Sequence, residues 1–289
     1  MKPFLVACFI LFASFFCRAQ KTATVNGHSL LWRIEGKGLS KPSYLFGTIH
    51  IICSDDYLWT DKMKQCLHAA DKVCLEMDMD DPALLTEIAT GMVDKDGKQL
   101  KDYFTPEEYK KISDYMRDSI GTDIRFIQQM KPAILLSLFA SKSLDCPSQV
   151  SYESNIMEDA KKDNKEIIGL EAAKEQLDLL NDIPADSIVK EVLASIDQPA
   201  DTRQEYAALV AAYKAQDLPK LYDLIQNSRD VGEDTGEFLD ARNKKWISRI
   251  SEKVKNNSVF FAVGAGHLWG KNGVIQLLKD AGYKVTPVY

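Results

Sequence analysis

Two stretches near opposite ends of the chain share one local pattern. Residues 45–50 read LFGTIH and residues 259–267 read VFFAVGAGH, each an apolar run that closes on Gly-x-x-His. The chain contains only four histidines, and two of them stand in this frame. A short apolar run bounded by glycine is the pattern of a buried strand, and the glycine admits a tight turn before the imidazole. Both runs have to be buried, so the chain is expected to build a sheet with two histidines at its ends.

The remaining composition leaves room for such a core. Of 289 residues, 45% are apolar and only ten are proline, which excludes a disordered chain and suits one globular domain with a helical insertion. The formal charge is −6 and no run of Lys and Arg is interleaved with aromatics, so no nucleic-acid partner is expected. The first 20 residues carry Lys2, an apolar run from Phe4 to Phe16, and Ala19 as a small residue before a cleavage point. They read as a secretory signal, too short to span a bilayer. Its removal takes Lys2 and Arg18 away and leaves a formal charge of −8. The product is expected to be exported, periplasmic or secreted, with no later stretch apolar enough to cross a membrane. A lipoprotein signal at Cys17 is the competing reading, and the bulky Phe15 and Phe16 before it count against that. Cys53, Cys66, Cys74 and Cys146 remain; they permit disulfides in three alternative pairings and read as structural.

Taken in order, residues 30–35 (LLWRIE) and 44–49 (YLFGTI) predict an antiparallel pair of strands, the second delivering His50 to its end. Residues 60–70 predict a helix, and residues 72–77 (KVCLEM) a strand that ends near Glu76. From about 81 to 163 the chain reads as a helical insertion, with a capping box at Thr105-Pro106-Glu107-Glu108. Within it, residues 91–102 (GMVDKDGKQLKD) are the candidate mobile loop. Residues 165–171 (KEIIGLE) repeat the earlier theme of an apolar strand ending in Leu-Glu, here Glu171. Helices fill about 183 to 256, with expected starts at Thr202-x-x-Glu205 and Asp234-x-x-Glu237. In the last of these, Arg242 and Asn243 project along the apolar stripe of Phe238, Leu239, Trp246, Ile247 and Ile250, Arg242 lying four residues from both Phe238 and Trp246. A buried guanidinium left unpaired costs about 3–5 kcal/mol, so Arg242 is expected to face a carboxylate. The final strand, helix and strand imply parallel strands at the end of the chain. The fold class expected is α/β (α+β), a mixed central sheet with helices on its faces and a large helical insertion.

If these strands are neighbours, His50, Glu76, Glu171 and His267 arrive at one edge of the sheet, where ligand sites of open α/β sheets lie. Two imidazoles with one or two carboxylates form a divalent-metal shell, and a bound water with a lowered pKa would serve as nucleophile. A dinucleotide reading of Gly264, Gly266 and Gly270 fails on spacing and on the lack of a following acidic ribose contact. His28 and His68 lack such a setting and read as surface residues.

The motifs GTIH (47–50) and GAGH (264–267) resemble the two Gly-x-x-His motifs of the TraB/GumN family, to which the Tiki metalloproteases are related. LLWRI, LEMD (75–78), GLE with Gln176 after it, ARNKKW (241–246) and GHLWGKNG follow in the same order. The resemblance implies a metal-dependent, peptidase-like hydrolase in which His50, His267 and Glu76 hold the ion. Manganese, cobalt, zinc and iron are the candidate metals. Glu76 would serve as ligand or general base, Glu171 as second carboxylate, and Arg242 and Asn243 would orient a carboxylate or steady an oxyanion on a peptide or small acyl substrate. Ala172 departs from the Thr expected after Leu-Glu, which removes a hydroxyl that would orient Glu171. The alternative function is a non-catalytic exported binding protein that sequesters a peptide or cofactor in the same cleft.

Overall fold

The computed structural model describes residues 27–142, 144, 146–228 and 235–289; the expected signal segment and the Asp234 helix start lie outside them. Eight strands are described: β1 (Leu31–Glu35), β2 (Ser43–Thr48), β3 (Ile51–Cys53), β4 (Lys72–Met77), β5 (Gln149–Ser151), β6 (Glu166–Glu171), β7 (Val259–Gly264) and β8 (Lys284–Pro287). The helices in the first half are α1 (Asp61–Ala69), α2 (Leu84–Gly91), α3 (Pro106–Tyr115), α4 (Ala133–Lys142) and α5 (Tyr152–Lys162). Then come α6 (Ala173–Asp182), α7 (Ala185–Asp197), α8 (Pro199–Lys214), α9 (Leu218–Gln226), α10 (Thr235–Lys253) and α11 (Val274–Asp280). The architecture is mixed α/β, as the strand and helix patterns predict.

Six strands form one sheet in the order β6-β4-β7-β2-β1-β8. Its first four strands are parallel, and β1 runs antiparallel to both β2 and β8. The last strand therefore points the same way as β7, as expected, but β2 and β1 lie between them. The apolar run of β7 is central because it is covered on both faces: Val259, Phe260, Phe261, Ala262 and Val263 are all buried. Trp246 and Ile250 of α10 belong to the core it anchors, with Phe46 and Tyr152.

A second core lies in the helical region. Leu100, Ile112, Met116, Ile124, Leu135 and Phe139 pack with Ile188 and Val192 of α7. Helix α3 begins as its capping box predicts, with Thr105 Oγ1 accepting from Glu108 N and Thr105 N donating to the Glu108 carboxylate. The box expected at Thr202 does not form: α8 starts at Pro199, where the fixed φ of proline suits the first turn, and Thr202 falls inside the helix.

The polar stretch at 91–102 folds around one buried carboxylate. Asp94 accepts from the backbone of Asp96 at 2.8 Å and of Lys98 at 3.3 Å, and from the Tyr103 hydroxyl. Tyr103 and these N–H groups hold the Asp94 pKa below its usual value despite some burial. Asp94→Ala strands these donors and is expected to cost about 1–3 kcal/mol in urea denaturation at pH 7. Because the folded pKa is the lower one, the contribution is complete above the ordinary aspartate range. It disappears as the pH falls through the folded value, so wild type and variant converge in acid.

The small sheet pairs β3 with β5 in antiparallel register, Ile51 opposite Ser151 and Cys53 opposite Gln149. A disulfide between Cys53 and Cys146 closes it, while Cys66 and Cys74 are buried free thiols, so one bridge forms and none of the three full pairings is completed. The bridge spans 93 residues of sequence. Cutting it with Cys53→Ser and Cys146→Ser is expected to lower stability by about 2–4 kcal/mol, read as a drop in thermal midpoint.

Candidate active site

Parallel strands bring like ends to one rim. Glu171 ends β6, Glu76 is the penultimate residue of β4, and His267 and His50 follow β7 and β2, so they line up in the strand order of the sheet. The two Gly-x-x-His motifs are neighbours because β2 and β7 pair in parallel, with Thr48 opposite Gly264.

The glycines serve close approach, not the tight turn expected of them. Gly264 has φ of −52°, open to any residue. A Cβ there would stand 3.3 Å from Glu76 Oε1 and 3.7 Å from both His50 Nε2 and His267 Cδ2, so its absence leaves the space the three groups face. A Cβ on Gly47 would press on Ala265 and Leu268 at 3.0–3.1 Å and push the His267 turn off the sheet.

Each imidazole is held from behind. Asn243 Oδ1 lies 2.6 Å from His267 Nδ1, and the Asn243 amide is oriented by donating to the carbonyls of Asn272 and His267. That assigns the proton to Nδ1 and leaves the Nε2 lone pair to accept from Arg242 Nη1 at 3.1 Å. The ring also packs on Trp246, centroids 4.3 Å apart. His50 Nδ1 lies 2.9 Å from Glu153 Oε1, which also accepts from Thr48 Oγ1 at 2.8 Å. Carboxylate and amide partners of this kind fix the tautomer of metal-binding histidines.

Arg242 joins the carboxylates. Its Nη2 donates to Glu76 Oε2 at 2.6 Å and to Glu171 Oε1, and its Nε donates to Glu171 Oε1 at 2.9 Å. The buried guanidinium thus meets the anionic partners its position on the apolar stripe requires. Glu171 sits behind it: Gln176 and Trp246 Nε1 also donate to its oxygens, at 2.8 and 3.0 Å. Those donors orient Glu171 without a hydroxyl at position 172. Ala172 instead leaves the start of α6 with no side-chain cap.

Burial by itself would raise the Glu76 pKa; His267, His50, Arg242 and the Gly264 N–H, 2.8 Å away, outweigh it and bring it down to about 2. Burial, with Arg242 and His50 adding to it, outweighs Glu76 at His267 and lowers that imidazole to about 3. His267 is therefore neutral near pH 7, and the ionised Glu76 leans on Arg242 and His50 for its counter-charge. The His50 side chain is 66% exposed at a cavity mouth. The surrounding protein pulls its pKa down, and Glu153, by hydrogen bond and charge, with Glu76 behind it, reverses this and raises it to about 9.

The donor set fits a divalent cation in chemistry once His50 gives up its extra proton to the ion: two imidazoles anchored through Nδ1 and an ionised carboxylate around the bare Cα of Gly264. As the side chains stand, Arg242 takes the His267 lone pair. Among the described residues, no group of three or more His, Cys, Asp or Glu has the geometry to hold a metal ion.

Glu153 carries no signal in the sequence; in the structure it stands in the first turn of α5. Its partner His50 is 103 residues away, brought to it by the β3–β5 pairing. His28 and His68 lie outside the site on the surface, His68 paired with Asp163.

The rim of parallel strands in this mixed α/β fold thus carries two anchored histidines and a buried Glu–Arg–Glu cluster. The chain belongs to the TraB/PrgY/gumN family, whose model matches residues 30–287. Among curated relatives it is 20% identical to Metalloprotease TIKI2 of Danio rerio, over 89% of this chain and 60% of the relative. It is 24% identical to the Metalloprotease TIKI homolog of Amphimedon queenslandica, over 92% and 62%. It is 20% identical to human Metalloprotease TIKI1, over 89% and 61%. The chain thus spans about three-fifths of the length of these relatives. No solved structure matches it.

Proposed function

We propose that the protein is an exported metal-dependent hydrolase of peptide or similar acyl bonds. The observation that carries this reading is the pair of imidazoles anchored through Nδ1, facing the ionised Glu76 across a glycine that leaves the space between them open. The metalloprotease names of the relatives support it. His50, His267 and Glu76 would hold the ion. When bound, it would supply a Lewis acid and a water acidic enough to attack a carbonyl. The chain's own groups do the rest. Asn243 and Glu153 keep the imidazoles oriented, and Arg242, aimed by Glu171, Gln176 and Trp246, presents a cation to a substrate carboxylate or a developing oxyanion. Export is supported by the signal-like first 20 residues and by the Cys53–Cys146 disulfide, which persists in oxidising compartments. Among the described residues no helix is long and apolar enough to cross a membrane.

The bond from Arg242 to His267 Nε2 favours a second reading, a binding protein that sequesters a peptide without turnover. Incubating the protein with a peptide library and each of manganese, cobalt, zinc and iron, with a chelator control, separates the two. Cleavage that the chelator stops is expected. Cleavage indifferent to chelator removes the metal, and tight retention without cleavage leaves the binding protein.

A further inference from the structure

Of the run GHLWGKNG, the rim uses His267 and the Asn272 carbonyl and leaves Trp269 and Lys271 without a role. The turn that carries them is closely fitted. Gly270 has φ of +94°, which suits glycine, and a Cβ there would stand 2.7 Å from Tyr222 Cζ. A Cβ on Gly273 would stand 2.3 Å from the Trp269 carbonyl oxygen, and one on Gly27 would stand 2.8 Å from Trp269 Cη2. This turn and α11 line a cavity of about 480 Å³. Its volume lies in the range of ligand sites, about 300–1,000 Å³. The buried Leu268 and Ile275 line it with Trp269. Lys271 and Lys279 line it too, and neither has an ion-pair partner among the described residues. Lys279 Nζ stands 5.7 Å from the centre of the Trp32 ring, and burial with no anion to offset it lowers its pKa. The acid in the lining, Asp280, accepts from Gln276 Nε2 at 2.8 Å, so two ammonium groups and one carboxylate leave an excess of one positive charge.

We propose that this cavity binds a small organic monocarboxylate with an aromatic or branched apolar body. The body packs with Trp269, Leu268 and Ile275, and the carboxylate is shared by Lys271 and Lys279. Lys279 gains most from the anion, because a charge-assisted hydrogen bond is stronger where water is partly excluded. A neutral apolar ligand would leave that ammonium without a counter-charge, and a dianion would exceed the charge the lining offers beside Asp280. A free carboxylate and the C-terminal end of a peptide present the same chemistry. The site does not depend on the hydrolase reading, since the cavity holds neither His50 nor Glu76.

Calorimetric titration of the protein at pH 7 with N-acetyl-phenylalanine tests this, beside its neutral amide and inorganic phosphate. The acid is expected to bind at least about tenfold more tightly than the amide, and than phosphate. Its affinity is expected to fall as salt is raised. Lys279→Met, which keeps the stem beside Trp32, and Lys271→Gln are each expected to weaken the acid at least about fivefold. Trp269→Leu is expected to weaken it as well, and Lys62→Gln on α1 to leave it unchanged, all with the far-ultraviolet circular dichroism of the wild type. No binding of the acid, equal binding of acid and amide, or full affinity in the Lys271→Gln and Lys279→Met double variant overturns the site. So does an equal loss in Lys62→Gln. Phosphate binding as tightly as the acid overturns the organic ligand. A peptide of three alanines ending in phenylalanine, with a free C-terminus, separates the two sources. Tighter binding than N-acetyl-phenylalanine assigns the cavity to peptide ends, and equal or weaker binding assigns it to free carboxylates.

Discussion

Replacing Arg242 by methionine is expected to cost about 3–5 kcal/mol of stability at pH 7, measured by urea denaturation. Methionine keeps much of the apolar stem, so the loss reports the guanidinium. Arg242 is 5% exposed and Glu171 is 7% exposed, and without the arginine Glu171 and Glu76 lose their cationic partner in a site with little water. Gln176 and Trp246 still donate to Glu171, but neutral donors do not replace a cation. Acidification neutralises the stranded Glu76 in the variant. It also removes from the wild type the stability that the lowered pKa of Glu76 confers above the ordinary glutamate range. The gap therefore narrows from both sides as the pH falls. Adding Glu171→Gln to Arg242→Met is expected to recover part of the loss, because one buried charge then disappears. A loss below about 1 kcal/mol would mean that the carboxylates find water or another cation. Arg242→Lys keeps the charge and loses the fork that reaches Glu76, Glu171 and His267 together, so it should fall between the two.

The second large effect is on metal uptake. His50→Ala combined with His267→Ala is expected to abolish binding of divalent ions, measured as metal content after dialysis, with the far-ultraviolet circular dichroism of the wild type. Asn243→Leu leaves all three proposed ligands in place and removes the acceptor at 2.6 Å that fixes the His267 tautomer. Losing the hydrogen-bond partner of a metal-binding histidine weakens metal binding about 10–100-fold. Unchanged metal content in the double variant would end the metal proposal.

Much of this arrangement is legible in the residues. The apolar run of β7 and the KVCLEM and EIIGLE strands are read from burial patterns that no surface strand tolerates, and the strand bounds follow closely. Arg242 announces a carboxylate partner because its neighbours four residues either way are apolar. Other readings needed the fold. The glycines of the two motifs look like turn residues, and only the contact between β2 and the His267 turn shows that they make room for close approach. Thr202 looks like a helix cap, and Pro199 pre-empts it.

By itself the sequence determined which strands are buried, that two histidines close equivalent strands, and that a charged group lies on the apolar side of the last long helix. These are local matters of periodicity and burial, which solvent enforces residue by residue. Tertiary structure alone decided that β6, β4, β7 and β2 stand side by side, that Glu171 lies behind Arg242, and that Glu153 holds His50 across 103 residues. Contacts at such separation depend on strand order and on which helix covers which rim, and no local pattern in the chain encodes either.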